Sequence, residues 1–410
     1  MNAPGQTQGR EAEGVRRQGG LLGLAGPLFR AQIDNIDRGI AQGSLEAVLP
    51  DGTHRILGGR AEGPAASIEL RSWRALLRLA LSGSGGWYEA WAAGEWSSPD
   101  PVQLFALFSR NRASLARPAR ATGPWKLARR LGHWLHRNHP RGSRRNIEFH
   151  YDLGNGFYRQ WLDVGMTYSS ALFADLGQSL EDAQTAKLEA MLARTATAPG
   201  DAILEIGCGW GSFAEVALAA GRQVHGITLS SEQLAYAQAR NPHGLFSLTD
   251  YRDVSGQYDA VVSIEMAEAV GQEYWPAYLS AIAQALKPGG RAALQVITFD
   301  DALFEDYAAN VDFIQTYVFP GGLLISTRAF RAIAAKNGLA WRDETRFGAS
   351  YAETLRRWRE RFDAAVDAGA LPEQFDARFV ALWRYYLMYC EGGFKGGGID
   401  VTQVTLVKEG

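Results

Sequence analysis

The sequence predicts an α/β protein: a doubly wound, mostly parallel sheet, with a smaller α+β domain ahead of it. Three observations carry this. Ala202-Ile203-Leu204-Glu205-Ile206 reads as a buried strand that runs into Gly207-Cys208-Gly209-Trp210-Gly211 and a helix-like stretch over 213–220. Small residues there let the backbone turn tightly and approach a ligand, and the helix start offers free N–H groups. From about residue 146 onward strand and helix patterns alternate, which argues a parallel sheet with ligands at the carboxyl ends of its strands. Ahead of that stretch, residues 44–53 alternate and then turn at Asp51-Gly52, a hairpin signal from a different kind of unit.

Bulk properties bound the problem. At 410 residues two or three domains are expected, and 46% hydrophobic residues with a net charge of -2 describe an ordinary globular chain. Cys208 and Cys390 supply neither a disulfide framework nor a metal spacing, so no metal site is expected and a reducing cytoplasm fits. No apolar run is long enough to span a membrane, and the polar N-terminus is not a signal peptide.

In chain order, residues 1–24 read as a disordered tail. Residues 25–112 form the accessory α+β unit: the hairpin, a short strand over 66–70, a helix over 73–81, and the aromatic stretch Gly86-Trp87-Tyr88-Glu89-Ala90-Trp91 leading to Gly94-Glu95-Trp96. Its tryptophans are expected mostly in the core. Residues 113–145 form a basic linker. From Val102 to Ile147 there is no acid, while arginines from Arg110 to Arg145 accumulate and Trp125, Leu127, Leu131, Trp134 and Leu135 interleave with them. Such a segment suits an anionic membrane surface, where each cation adds about 1 kcal/mol; a solvated linker helix is the plainer alternative. Nucleic acid is not expected as a partner.

Residues 146–410 form the ligand-binding domain. After the glycine turn come a strand over 223–230, a helix over 231–240 with Ser230 or Ser231 as N-cap, and a strand over 258–264. A helix over 274–286, a strand over 291–298 and a C-terminal strand over 399–407 that closes the sheet complete the alternation. The stretches 300–326 and 347–389 interrupt it and read as insertions over the ligand site.

The acid before the first glycine and the G-x-G-x-G spacing resemble the first motif of S-adenosylmethionine (SAM) methyltransferases. The second strand ends Gly226-Ile227-Thr228-Leu229-Ser230, without the acid that usually grips ribose, and Thr228 and Gln233 can hydrogen-bond those hydroxyls instead. That stretch resembles the cyclopropane fatty acid synthase family. His150-Tyr151-Asp152-Leu153-Gly154-Asn155, Met166-Thr167-Tyr168-Ser169-Ser170-Ala171, Asp250-Tyr251-Arg252-Asp253, Phe319-Pro320-Gly321-Gly322, Phe347-Gly348 with Tyr351, and Cys390-Glu391-Gly392-Gly393-Phe394 agree with it in order. The resemblance implies a Rossmann-like SAM methyltransferase fold. It implies methylation of a double bond in an unsaturated acyl chain of membrane phospholipid, through a carbocation that aromatic faces such as Tyr317, Phe319 and Tyr351 stabilise. It also implies a homodimer and a cytoplasmic protein peripheral to the inner face of the membrane. The SAM site would comprise Tyr168, Ser169, Glu205, Gly207, Gly209, Gly211, Thr228, Gln233, Tyr251 and Arg252. Glu205 would orient the methionine amine or cap the glycine turn.

The family resembled removes a proton with a bound bicarbonate held by a cysteine, a glutamate, a histidine, an isoleucine and a tyrosine. Carried over by position, these become Ser170, Glu268, Gln295, Ile297 and Tyr351, so the cysteine and the histidine have changed. Ala269 and Ile325 depart from the pattern as well. Gln295 donates hydrogen bonds but cannot carry a proton as imidazole does. The expectation is therefore a C-methyltransferase that leaves a methyl- or methylene-modified chain. The alternatives are a true cyclopropane synthase that uses bicarbonate, and a catalytically inactive SAM-binding protein of the lipid surface.

Overall fold

The structure, a computed structural model, describes residues 26–115 and 153–409. The tail over 1–24, most of the basic linker, and His150, Tyr151 and Asp152 of the first family-like motif lie outside the described residues.

The first unit opens with α1 (Gly26–Gly39) and the hairpin β1 (Ser44–Val48) and β2 (His54–Gly58). Gly52 supplies the positive φ of 82° that the turn requires. β3 (Ala65–Leu70) pairs parallel with β1, and β4 (Trp96–Ser97) antiparallel with β3. The helix expected to stop near 81 continues: α2 (Arg74–Ala92) runs across a kink at Gly83, whose φ of 59° and ψ of -140° break the helical path. α3 (Pro101–Arg110) starts at an Asp100 cap, whose side chain accepts from the Gln103 N–H, and α4 (Arg112–Leu115) follows. Glu89 and Glu95 both grip Arg78, at 2.9 and 3.1 Å, and the Trp87 and Trp96 rings stack at 4.7 Å.

The second unit contains α5 (Asn155–Tyr158), α6 (Leu180–Thr195), β5 (Ala202–Ile206), α7 (Ser212–Ala219), β6 (Gln223–Thr228), α8 (Ser231–Arg240), β7 (Leu245–Leu248) and β8 (Tyr258–Ile264). α9 (Ala267–Val270), α10 (Trp275–Ala285), β9 (Leu286–Phe299), α11 (Phe304–Ala308), α12 (Phe313–Tyr317), β10 (Ile325–Ser326) and α13 (Thr327–Lys336) follow. The chain ends with β11 (Leu339–Arg346), α14 (Gly348–Asp367), α15 (Ala377–Gly396) and β12 (Ile399–Lys408). The sheet order is β11-β12-β9-β8-β5-β6-β7, with β10 beside β9. Strands β9, β8, β5, β6 and β7 are mutually parallel, so the doubly wound α/β fold is as expected. β5 lies between β6 and β8, so the chain leaves it in both directions and the switch point opens above its carboxyl end.

The C-terminal strand also differs from expectation. β12 does not close the sheet; it lies inside, antiparallel to both β9 and β11. β11 carries Arg342-Asp343-Glu344-Thr345-Arg346 exposed along its second half, and such charge suits an edge that must not pair with another chain.

The insertion helices join the two units. α15 crosses α3 so closely that a Cβ on Gly392 would meet Phe105 Cβ at 2.4 Å, and one on Gly396 would meet the Ala106 carbonyl at 2.3 Å. The glycines of the Cys390–Phe394 motif and its continuation are thus a helix-packing device. A single hydrophobic cluster runs through this contact, taking Trp87, Trp96 and Phe105 from the first unit together with Trp358, Trp383 and Tyr385 from α14 and α15. Each such ring, fully buried, contributes roughly 2–3 kcal/mol. Among the described residues no helix is long and apolar enough to cross a membrane.

Candidate active site

A cavity of about 1140 Å³ opens at the switch point and runs from the glycine turn, under α14 and α15, to the first unit. Its two ends differ in chemistry. At one end Glu205, Gly207 and Gly209 meet Thr228, Gln233 and Tyr251; at the other, Leu79, Trp87, Phe105 and Phe108 supply apolar walls.

The glycine-turn end is built by local sequence. Gly207, Gly209 and Gly211 all have positive φ, at 80°, 51° and 82°. A Cβ on Gly207 would meet Met266 Cγ at 2.1 Å, whereas nothing lies within 4 Å of one on Gly209, so the turn is open to a ligand there. Thr228 and Gln233 hydrogen-bond each other at 2.8 Å, and Ser230 caps α8 by accepting from the Gln233 N–H. Lys187, from α6, is fully buried and donates to Ser169 Oγ at 2.7 Å. Glu205 is also buried, and its Oε2 has no hydrogen-bond partner. Burial pushes the Glu205 carboxyl up to about 8, opposed by the Lys187 charge, and the Lys187 ammonium down to about 8, opposed by the charges of Glu265, Asp163 and then Glu205. The open glycine, the orphan carboxylate oxygen and the buried cation fit a ligand with a polar, doubly charged tail.

Beyond this end stands Glu265, on the last turn of backbone after β8, with a positive φ of 53°. Sparsely populated backbone of this kind collects at functional sites. Glu265 Oε1 accepts from the Ser170 N–H at 2.9 Å and from Gln295 Nε2 at 2.8 Å; Oε2 accepts from the Tyr351 hydroxyl at 2.9 Å. Gln295 is itself fixed, because its Oε1 accepts from Gln403 Nε2 at 3.0 Å. Burial raises the Glu265 carboxyl, while these donors and the Lys187 charge lower it again. Glu268 accepts from the Ile297 N–H through Oε1, and its buried Oε2 has no partner. Burial, and then the charge of Glu265, push the Glu268 carboxyl up to about 8. Burial also raises the Tyr351 hydroxyl well above its usual value.

The residues expected at the site divide into two groups. Tyr168, Ser169, Glu205, Gly207, Gly209, Thr228, Gln233, Tyr251, Glu268, Ile297 and Tyr351 line the cavity. Ser170 and Gln295 lie behind it and reach it through Glu265; the Ser170 hydroxyl turns back onto the Ala171 carbonyl at 2.9 Å. Gly211 holds the start of α7, where a Cβ would meet Asn241 Nδ2 at 2.5 Å. The Arg252 guanidinium is occupied by Asp250, at 2.8 and 2.6 Å. Tyr317 faces the first unit, where its hydroxyl donates to Glu89 at 2.9 Å. Sequence reasoning missed Glu265 and Lys187. The signal for Glu265 was present: an acid at the carboxyl end of the strand beside the glycine-turn strand, three residues before Glu268. Lys187 gave none, because a lysine in a helix ordinarily faces water.

Known proteins match this architecture. The family profile described as mycolic acid cyclopropane synthetase matches residues 138–404. The chain is 38% identical, over 89% of its length and 88% of the relative's, to tuberculostearic acid methyltransferase UfaA1 of Mycobacterium tuberculosis. It is 38% identical to the cyclopropane-fatty-acyl-phospholipid synthase of Escherichia coli, over 62% of this chain and 65% of that one. Among solved structures it resembles the cyclopropane synthase MmaA2 from Mycobacterium tuberculosis, with a TM-score of 0.60 and 29% identity over 65% of this chain and 98% of that one. It also resembles mycolic acid cyclopropane synthase CmaA1 complexed with SAH and CTAB, at a TM-score of 0.59 and 28% identity over 65% of this chain and 98% of that one. The fold, the ordered motifs and these matches make the chain a member of the cyclopropane fatty acid synthase family, which the profile describes as mycolic acid cyclopropane synthetase.

Proposed function

We propose that this enzyme methylates the double bond of an unsaturated fatty acyl chain carried on membrane phospholipid and releases a methyl- or methylene-modified chain rather than a cyclopropane ring. The broader activity, SAM-dependent modification of lipid acyl chains, follows from family membership and from the activities named for its relatives. S-Adenosyl-L-methionine is the co-substrate. Bound at the glycine turn, it supplies an electrophilic methyl group.

One observation carries the choice of product. The donors that the family resembled directs at a bicarbonate, here at Ser170, Gln295 and Tyr351, are engaged by the Glu265 carboxylate. A carboxylate has the planar O–C–O shape and the charge of bicarbonate, so the protein supplies its own anion there. The other residues follow from the chemistry of an alkene, a weak nucleophile that must be aligned with the methyl group and kept from water. Leu79, Phe105 and Phe108 hold an apolar chain, and the rings of Phe319, Tyr351 and Tyr386 face the same cavity and favour positive charge. When the alkene carbon bonds to the methyl, its neighbour becomes a cation. Loss of one C–H proton to Glu265 restores an alkene, either within the chain or as an exocyclic methylene after a hydride shift. The 38% identity to a tuberculostearic acid methyltransferase over most of both chains favours the same outcome. The basic segment over 113–145 would dock the enzyme on an anionic membrane, at the cytoplasmic face.

The test is mass spectrometry of membrane acyl chains from cells that express the protein and are fed methyl-deuterated methionine. A labelled chain one carbon heavier that ozone cleaves is expected. A labelled chain of that same composition, deuterium counted as hydrogen, that resists ozone is a ring, since a reduced methyl-branched chain is two hydrogens heavier. It would return the enzyme to the bicarbonate-dependent cyclopropane synthases. With unsaturated phospholipid vesicles, an absence of SAM consumption would leave a binding protein of the lipid surface.

A further inference from the structure

We infer that Lys187 takes the carboxylate of the co-substrate's amino-acid tail, opposite Glu205, which the family resemblance already directs at the ammonium, so that the pair reads both charges. The inference rests on the proposal that SAM binds at the glycine turn, and it assigns Lys187 a ligand.

Two incomplete groups face one end of one cavity. Lys187 is wholly buried, yet its ammonium has a single hydrogen bond, to Ser169 Oγ, and forms no ion pair among the described residues. Glu265, Asp163 and Glu205 act on it only through longer-range attraction. Asp163 is turned to Thr167, accepting from its N–H at 2.9 Å and its hydroxyl at 3.2 Å. Glu265 is held by Ser170, Gln295 and Tyr351. Taking an ammonium out of water without a paired anion is costly, so a site that buries one is incomplete without its ligand. Glu205 is the complement: a buried carboxylate whose Oε2 has no donor. Both residues line the cavity together with Gly207 and Ser169. A zwitterion satisfies both at once, its carboxylate on Lys187 and the Ser169 hydroxyl, its ammonium on Glu205. Neither charge alone would do so, and this makes the cradle selective for an α-amino acid tail.

Calorimetric binding to the full-length protein tests this with three probes: S-adenosylhomocysteine, its decarboxylated analogue and its deaminated analogue. The wild-type protein should prefer S-adenosylhomocysteine over either analogue by at least about tenfold, as loss of a charge-assisted contact implies. Lys187→Met should weaken S-adenosylhomocysteine and the deaminated analogue, which keep the carboxylate, and leave the decarboxylated analogue unchanged. Glu205→Gln should weaken S-adenosylhomocysteine and the decarboxylated analogue, which keep the ammonium, and leave the deaminated one unchanged. If Lys187→Met weakens all three probes alike, or none, Lys187 merely neutralises its acidic neighbours and the inference falls. A wild-type protein without preference among the probes overturns it whether or not either variant folds. A wild-type protein that binds none of them overturns instead the SAM site on which it rests.

Discussion

Glu205 and Glu265 invite comparison. Both are acids at the carboxyl ends of neighbouring parallel strands, β5 and β8, Glu205 buried and Glu265 half-buried, and both face the same cavity. Glu205 has an oxygen without a donor, while both oxygens of Glu265 are held by the protein. On the proposals above, the first acid is left for the co-substrate to complete, and the second stands in for the anion that the family resembled obtains from solution. A buried carboxylate is costly unless its lone pairs are satisfied, and the difference in satisfaction marks which acid lacks a partner within the protein.

The largest effect expected along this comparison is at the ligand-dependent end. Gly207→Ala adds a Cβ 2.1 Å from Met266 Cγ at a φ of 80°. Calorimetry should find S-adenosylhomocysteine binding abolished, and product formation should fall with it. Binding at wild-type strength would mean that the turn does not cradle the ligand. At the self-sufficient end, Glu265→Gln should lower the rate by about 10²–10⁴, the usual worth of a positioned base. Glu265→Gly should leave the Ser170, Gln295 and Tyr351 donors free and make turnover depend on added bicarbonate or formate. The wild-type enzyme should be indifferent to removal of bicarbonate, and a strong dependence would show that Glu265 has not replaced it.

The scaffold between the two ends should respond next. Gly396→Leu forces α15 away from the Ala106 carbonyl, 2.3 Å from the added Cβ, and should cost about 1–3 kcal/mol in denaturant unfolding. A further effect concerns pH. Burial raises the folded carboxyls of Glu205 and Glu268 to about 8 from 4.5, so the folded state binds more protons between those values. Their contribution to stability is present below about 4.5 and is lost as pH rises toward about 8. The melting temperature of the ligand-free protein should fall across that window. Glu205→Gln, or saturating S-adenosylhomocysteine, should flatten the fall, whereas an unchanged slope would separate Glu205 from it. The smallest effect is expected at Tyr317, whose hydroxyl bonds Glu89 at the exposed junction of the two units. Tyr317→Phe should cost at most about 1 kcal/mol in unfolding and leave turnover unchanged. A large loss of turnover would return Tyr317 to the site.

What the sequence determined by itself is what short-range physics dictates. A glycine turn needs positive φ within a few residues, and a buried strand needs an apolar run. Helix caps and hairpins likewise use neighbours in the chain, so β5, the turn after it, Ser230 and Asp51-Gly52 were legible in order. The ordered motifs added the family, and with it the residues that line the cofactor end. Tertiary structure alone decided the rest, because the remaining contacts join residues distant in the chain. Ser170, Glu265, Gln295 and Tyr351 converge from four separate elements, and no spacing announces that an acid after β8 meets them. Gly392 reads as a motif glycine until α3 lies against it. Lys187 reads as an exposed helical lysine until the sheet and insertion helices close over it. The charged half of β11 hides a strand, because an edge is defined by what fails to pair with it. Local pattern fixes where the chain turns, and packing fixes which buried charges are left for a ligand to meet.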